Sequence, residues 1–242
     1  MARRRFFVEA VEDGYAQLSG QEAHHVTHVL RAEAGQRFEI SDNHHVYLAE
    51  VESVAKTSVS LRVVERMEAP APVVRSSLLA SLVKFERFEW MLEKATELGV
   101  DDILPIIAER SESGLDKAAL KRLPRWTRIL REASEQSRRA HLPNIDGPIK
   151  LEKALQMAAD YRYVLEEAVA QPILSAMPPD RKPDDHVILL VGPEGGWTDR
   201  ERMAMASARW TPVSLGTNIL RAETAAVAGL AIVQAAWAAR AR

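Results

Sequence analysis

Two segments carry the residue types from which a ligand site is built. The first is Val187–Glu201, VILLVGPEGGWTDRE, in which an apolar run ends at Val191 and Gly192-Pro193-Glu194-Gly195-Gly196 follows. Glycine at three of those five positions lets the main chain approach a ligand closely. Thr198-x-x-Glu201 is then the capping-box signature of a helix starting directly afterwards. In open α/β sheets ligands bind outside the carboxyl ends of strands, where this loop falls; taken alone, the same residues also describe a tight strand-to-helix turn. The second segment is Val213–Ala226, VSLGTNILRAETAA: strand, glycine turn, polar loop and alanine-rich helix. Glu223 at the start of that helix offsets its dipole. Arg221 does not, which points to a salt bridge or to a functional role. Two such strand-end loops point to one shared pocket.

Other chemistries are excluded. No Gly-x-Gly occurs among the 11 glycines, so the dinucleotide fingerprint is missing, as is the P-loop pattern. With no cysteine there is no disulfide, thiolate nucleophile or Cys-based metal site. His24, His25 and His28 invite a metal reading, since positions four apart share a helix face, but there is no HExxH and no nearby third ligand beyond the separate His44-His45. No metal site is expected; a helix packed on the N-terminal strands accounts for them.

The elements that must hold these loops fall into two blocks. Residues 1–66 contain five short alternating stretches, Phe6–Val8, Tyr15–Leu18, Arg37–Ile40, His45–Val51 and Ser58–Val64, with one helix from a capping box at Ser19-x-x-Glu22 to about Arg31. This predicts a small β-barrel. Met67–Val74, MEAPAPVV, is a proline-spaced linker, so the domains are 1–71 and 72–242. Beyond it, apolar strands (Leu78–Val83, Ile103–Ala108, Tyr163–Leu165, His186–Val191) alternate with helices (Glu86–Leu98, Arg125–Ala140, Leu151–Ala159), which predicts an α/β fold with a mostly parallel sheet. The five tryptophans are expected as core or interface anchors, with Trp197 beside GPEGG as a candidate pocket wall.

The 242 residues are 47% hydrophobic and 27% charged, enough for a real core. Residues 225–239 are nearly all apolar but fall short of a membrane span of about 17 residues or more. They are expected as a buried or interface helix. MARRRFFVEA lacks the apolar run of a signal peptide, so no membrane partner and a cytoplasmic location are expected. Net charge is −2, yet eight Lys/Arg face only Glu132 and Glu135 between Lys117 and His141 on the basic-to-acidic count, and Arg3-Arg4-Arg5 forms a second cluster. Local basic patches of this kind are the footprint of a nucleic-acid binder. Ion pairs at i,i+4 (Arg128–Glu132, Arg131–Glu135, Glu135–Arg139) account for half of the helix's charge.

GPEGG followed by LGxxILRxETA resembles the RsmE family, the small-subunit rRNA uridine-N3 methyltransferases of the SPOUT superfamily. RRRFFV at 3–8, HVTHVLR at 25–31, KATELGV at 94–100, Glu109-Arg110-Ser111, Glu135-Gln136-Ser137 with Arg139, and Pro143 extend the resemblance, in order, over nearly the whole chain. It implies a PUA-like β-barrel before an α/β domain with a C-terminal trefoil knot, a homodimer, S-adenosylmethionine as cofactor, and 16S rRNA of the small ribosomal subunit, not DNA, as partner. The implied reaction is methylation at N3 of one uridine (position 1498 in conventional numbering). The implied cofactor residues are Val191, Gly192, Pro193, Glu194, Gly195 and Gly196; Leu215, Gly216, Ile219, Leu220, Thr224 and Ala225; and a third wall at Leu165 and Glu166, with Glu167. RNA contacts are expected at Arg3, Arg4, Arg5, Arg31, Arg110, Arg138 and Arg139. Two positions depart from the family pattern: Thr217-Asn218 replaces a more common Pro-Arg pair, and Phe85 stands where glycine is expected.

Methylating uracil at N3 requires loss of the N3 proton, and the anion spreads over O2 and O4. A base and a cation near a carbonyl oxygen are what the protein must supply. Arg221 is expected to be the catalytic cation; Glu194, Glu223 and solvent stay open as the base. The rivals are a SPOUT enzyme with a different target, a non-catalytic RNA-binding or assembly factor, and an α/β enzyme using another adenine-containing ligand.

Overall fold

A computed structural model describes residues 5–69, 71–167 and 170–239. The chain divides into two compact units. One comprises Met1–Ala71 with Arg131–Leu142, the other Pro72–Leu130 with Pro143–Arg242.

In the first unit, β1 (Arg5–Phe7), β2 (Val11–Glu12), β3 (Tyr15–Ser19), β4 (Arg37–Ser41), β5 (Val46–Val54) and β6 (Ser58–Met67) form a sheet in the order β1-β4-β5-β6-β3-β2. Only the β1–β4 pairing is parallel. Register shifts at Leu48/Ala49 and Val51/Ser53 bend β5, as bulges do. The expected barrel is thus a curled sheet, and among the described residues no ladder joins β1 to β2. Alternation puts Ala16, Leu18, Val59 and Leu61 in one core with Phe6, Val26 and Ile40. The helix α1 (Gly20–His24) does start after Ser19 and runs on as a π-helical turn, His25–Val29. The expected capping box is absent: the Ser19 side chain makes no cap bond, and Glu22 pairs with Arg131 at 3.4 Å.

The second unit contains β7 (Arg75–Ser81), α2 (Phe85–Glu97), β8 (Asp102–Ile107), α3 (Leu115–Gln136), β9 (Asn144–Ile145), β10 (Ile149–Lys150), α4 (Leu151–Ala154), β11 (Tyr161–Leu165), β12 (Gln171–Pro172), α5 (Ile173–Ala176), β13 (His186–Val191), α6 (Asp199–Ser207), β14 (Thr211–Ser214) and α7 (Ala222–Ala238). Its sheet is parallel throughout, in the order β10-β8-β7-β13-β11-β14-β12 with β9 on β8. The apolar runs of β7 and β13 make them central strands buried on both faces. Because β11 lies between β13 and β14 in this order and all three are parallel, three separate chain segments deliver their carboxyl ends side by side.

Two helices differ from expectation. α3 begins before Arg125 and carries Pro124 inside it, while α4 stops at Ala154. In α7, Ala226, Leu230, Val233 and Trp237 return to one face at helical spacing and are buried. Gly229 lets α7 lie close to the sheet, since a Cβ there would stand 3.3 Å from Leu165 and Leu189 methyls. Trp126, Trp197, Trp210 and Trp237 are buried, but Trp90 is 45% exposed, so it anchors no core. No helix among the described residues is long and apolar enough to cross a membrane.

The last turns of α3 and the following loop belong to the first unit. Arg131 donates to the Phe7 carbonyl (3.1 Å), and Ser41 Oγ to that of Ala140 (2.6 Å). Arg5, 5% exposed, and Glu39, 2% exposed, form an ion pair at 2.9 Å that Arg138 also joins. This corrects the assignment of Arg5 to RNA: its charge is spent on a buried carboxylate. Arg3 and Arg4 lie outside the described residues.

Glu135 is the other unusual group of this region. Burial pushes its carboxyl up to about 7, Glu22 adds to the shift, and the Phe7 amide and Arg131 only partly oppose it. Its Oε1 is buried without a hydrogen-bond partner. The folded chain therefore holds this proton while the unfolded chain releases it near the ordinary 4.5. Stability from the neutral carboxyl is complete below that value and is lost as pH rises to about 7, by about 2–3 kcal/mol in all. Glu135→Gln should abolish this dependence and exceed the wild type in stability at pH 8 by about 2 kcal/mol; urea unfolding across the pH range checks it, and parallel curves would reject it.

Candidate active site

The carboxyl ends of β13, β11 and β14 border one cavity of about 320 Å³. Its floor comes from the β13 loop: Val191, Gly192, Pro193, Glu194 and Gly196 all line it. The loop is a tight turn closed by the Gly196 N–H donating to the Pro193 carbonyl (2.9 Å), with Gly196 at φ +66°, a conformation only glycine adopts readily. Behind it Trp197, 2% exposed, lays its indole against Gly192. A Cβ at Gly192 would stand 2.9 Å from Trp197 Cε2. The same indole donates to the Leu165 carbonyl at 3.4 Å, which ties the β13 loop to the end of β11.

A second wall follows β11. Leu165, Glu166 and Glu167 line the cavity, and Arg202 of α6 grips both oxygens of Glu166 at 3.1 and 3.2 Å. The Glu166 carboxylate in turn raises the Arg202 guanidinium above its ordinary value. The third wall is the loop from Ser214 to Ala222 with Ala225 of α7. Ser214 Oγ bonds Gly216 on both its N–H and carbonyl (3.2 and 2.9 Å), bending the chain at the positive φ of +136° that Gly216 adopts. Arg221 is the N-cap of α7 and lines the cavity with an exposed side chain.

The loop after β8 buttresses the floor from outside. Arg110 donates to the Gly195 carbonyl at 2.7 Å. Glu201, 4% exposed, accepts from the Glu109 and Thr198 amides at 2.8 Å each, and completes with Thr198 the capping box expected from the sequence. Arg110, expected at RNA, is thus committed to the loop that carries Glu194.

Of the cofactor positions implied by resemblance, Gly195 and Thr224 do not line the cavity; the others do, as does Arg221. Gly195 turns its Cβ position toward Arg110, 3.2 Å away, and Thr224 is exposed on α7. Arg31 is exposed at φ +50°, and Arg138 stands at φ +57° just past the end of α3. Arg139 donates to the His141 carbonyl at 3.1 Å. Arg87, Arg202, Thr217 and Asn218 also line the cavity, unpredicted. Arg87 is invisible in the sequence because the first turn of α2, which carries it, reaches the site only through the adjacency of β7 and β13. Phe85, in place of the expected glycine, packs edge-on against Trp126 (5.9 Å) under the Arg122 guanidinium (4.7 Å).

Residues 69–234 match the RNA methyltransferase domain and residues 18–64 the RNA methyltransferase PUA domain. The chain is 32% identical to the ribosomal RNA small subunit methyltransferase E of Bacillus subtilis, with 95% of each chain covered, and 33% identical to that of Synechocystis, over 94% of this chain and 75% of the relative. The chain belongs to the ribosomal RNA small subunit methyltransferase E family. A crystal structure of the Neisseria gonorrhoeae member of the methyltransferase E family, bound to S-adenosyl methionine, superposes with a TM-score of 0.87 at 28% identity, covering 97% of this chain and 98% of that one.

The Gly192–Trp197 contact gives the site a sensitive test. Gly192→Ala should displace the indole and weaken cofactor affinity about tenfold, with a shift in tryptophan emission; calorimetric titration with S-adenosylmethionine reads the first and fluorescence the second. Unchanged affinity would show that the floor tolerates the displacement.

Proposed function

We propose that the protein transfers the methyl group of S-adenosylmethionine to N3 of a single uridine in 16S rRNA of the small ribosomal subunit, acting in the cytoplasm as a homodimer. The observation that carries this reading is the cavity itself: three strand-end loops of an RNA methyltransferase domain converge there, in a chain that also has a PUA domain. Its residues fit the cofactor: the Gly192–Gly196 loop exposes main chain next to an indole, and Leu165, Leu215 and Leu220 supply apolar walls. Those residues hold S-adenosylmethionine, which supplies an electrophilic methyl group when bound.

The protein's own residues have the rest of the work. They must orient the uracil edge, accept the N3 proton, and stabilise the anion on O2 and O4. Arg221 lines the cavity from the N-terminus of α7, and is the catalytic cation for a carbonyl oxygen. Arg31, Arg138 and Arg139 are the proposed RNA contacts of the first unit; Arg138 shares the Glu39 carboxylate with Arg5 but, unlike Arg5, keeps 47% of its side chain exposed. Charge reversal at Arg139 should weaken RNA binding and flatten its salt dependence; an unchanged slope would remove it from the interface.

The test is calorimetric titration with S-adenosylmethionine, followed by methyl transfer to small subunits lacking the modification and chromatographic mapping of the product. Saturable binding near one per chain and a methyl on uridine N3 are expected; a methyl elsewhere, or no binding, would overturn the reading. Light scattering tests the dimer.

A further inference from the structure

The carboxylates around the cavity divide by geometry. Glu166 lines it, but both its oxygens are gripped by Arg202 and its side chain is 7% exposed. Glu223 lies behind the wall: its side chain is 9% exposed, and its Oε1 stands 3.8 Å from Arg87 Nε. Its other oxygen is buried without a hydrogen-bond partner. Glu194 lines the cavity with 43% of its side chain exposed, and Arg87 Nη1 donates to its Oε1. Arg87 therefore sits between a buried anchor and a carboxylate open to the cavity, and lines the cavity itself.

We infer that Glu194 is the base that takes the uracil N3 proton and that Arg87, anchored by Glu223, is a second catalytic cation that receives the resulting anion. This rests on the uridine-N3 reading above. In the step, the N3–H bond breaks and an O–H bond forms on the Glu194 carboxylate. The electron pair stays on the uracil ring, and its charge spreads to O2 and O4. Two carbonyl oxygens flank N3, so Arg87 and Arg221 can each face one. The proton on Glu194 then leaves to solvent, to which its side chain is open.

Charge balance favours this assignment. Before the step the groups it involves are two cations, Arg87 and Arg221, and two anions, Glu194 and Glu223; the Glu166–Arg202 pair and Glu167, which also line the cavity, are unchanged by it. Afterwards they are the same two cations, with Glu223 and the uracil anion. The step moves one negative charge from Glu194 to the uracil and creates no net charge beside the two arginines. Glu223 cannot replace Glu194 as base, because its buried position behind Arg87 keeps it from the cavity.

The experiment is single-turnover methyl transfer to small subunits lacking the modification, from pH 6 to pH 10, paired with calorimetric S-adenosylmethionine binding. Glu194→Gln should slow transfer about 100-fold or more at pH 7 with cofactor affinity within about threefold of wild type. The deficit should shrink toward pH 10, where hydroxide removes the N3 proton instead. Arg87→Met should slow transfer about 100-fold without such rescue, and Arg87→Lys should recover part of the loss. Glu194→Asp, which keeps a carboxylate, should retain the wild-type pH dependence at reduced rate. A Glu194→Gln deficit constant across pH, a wild-type rate in Arg87→Met, or a Glu194→Asp profile like that of Gln would overturn the inference while leaving methylation intact. A wild-type enzyme that places no methyl on N3 would overturn the underlying reading, and this inference with it.

Discussion

Arg221→Ala is expected to slow methyl transfer about 100- to 1,000-fold while leaving S-adenosylmethionine affinity within about threefold of wild type. A preorganised donor aimed at developing charge has that effect in other acyl and carbonyl chemistries, and Arg221 is well placed for it. It caps α7 without a side-chain cap bond and lines the cavity with an exposed side chain. Leu220 and Ala222 on either side line the wall and are half-buried, which holds the loop independently of the guanidinium. The loss should fall on the rate of transfer and not on cofactor binding. Single-turnover kinetics beside calorimetry separate the two, and an Ala variant that binds cofactor and transfers at the wild-type rate would remove Arg221 from the mechanism.

Glu201→Ala is expected to destabilise the protein by about 4 kcal/mol. The carboxylate is 4% exposed and accepts from two main-chain amides, Glu109 on the β8 loop and Thr198 at the helix cap, each at 2.8 Å. Removing it leaves two part-buried amides without their partner, at about 1–3 kcal/mol each, and abolishes half of the capping box. The same cut removes the tie between the β8 loop and the start of α6 and leaves Arg110 on the Gly195 carbonyl as the contact with the β13 loop, so cofactor affinity should fall as well. Urea unfolding measures the first effect and calorimetry the second. Glu201→Gln keeps one acceptor and should lose roughly half as much; equal losses would mean that packing, and not the hydrogen bonds, is what Glu201 supplies.

Local order was largely legible in the residues. The continuous apolar run Val187–Val191 reads as a strand buried on both faces, and it is one. Thr198 and Glu201 three apart announced the start of α6, and both halves of that cap are made. Ser19 and Glu22 have the same spacing, yet no cap forms there, because Glu22 has an ion-pair partner in Arg131, more than a hundred positions along the chain. A spacing rule sees only neighbours in sequence, and the better partner came from outside its window.

Charge was read least well, for the same reason. The arginine cluster at residues 3–5 looks like a polyanion contact, but Arg5 is drawn onto the buried Glu39 by the pairing of β1 with β4. Arg131 and Glu135, spaced as a helical ion pair, behave differently once folded: Arg131 reaches Phe7 and Glu22, and burial favours the neutral form of Glu135. The glycine loops and the cap of α6 are determined by sequence alone, because close approach and helix starts need particular residue types. Which strand ends meet was decided by the sheet order β7-β13-β11-β14. That order brings Arg87 to Glu194 across more than a hundred residues, since parallel strands join through long crossovers and their neighbours are chosen by packing, not by position along the chain.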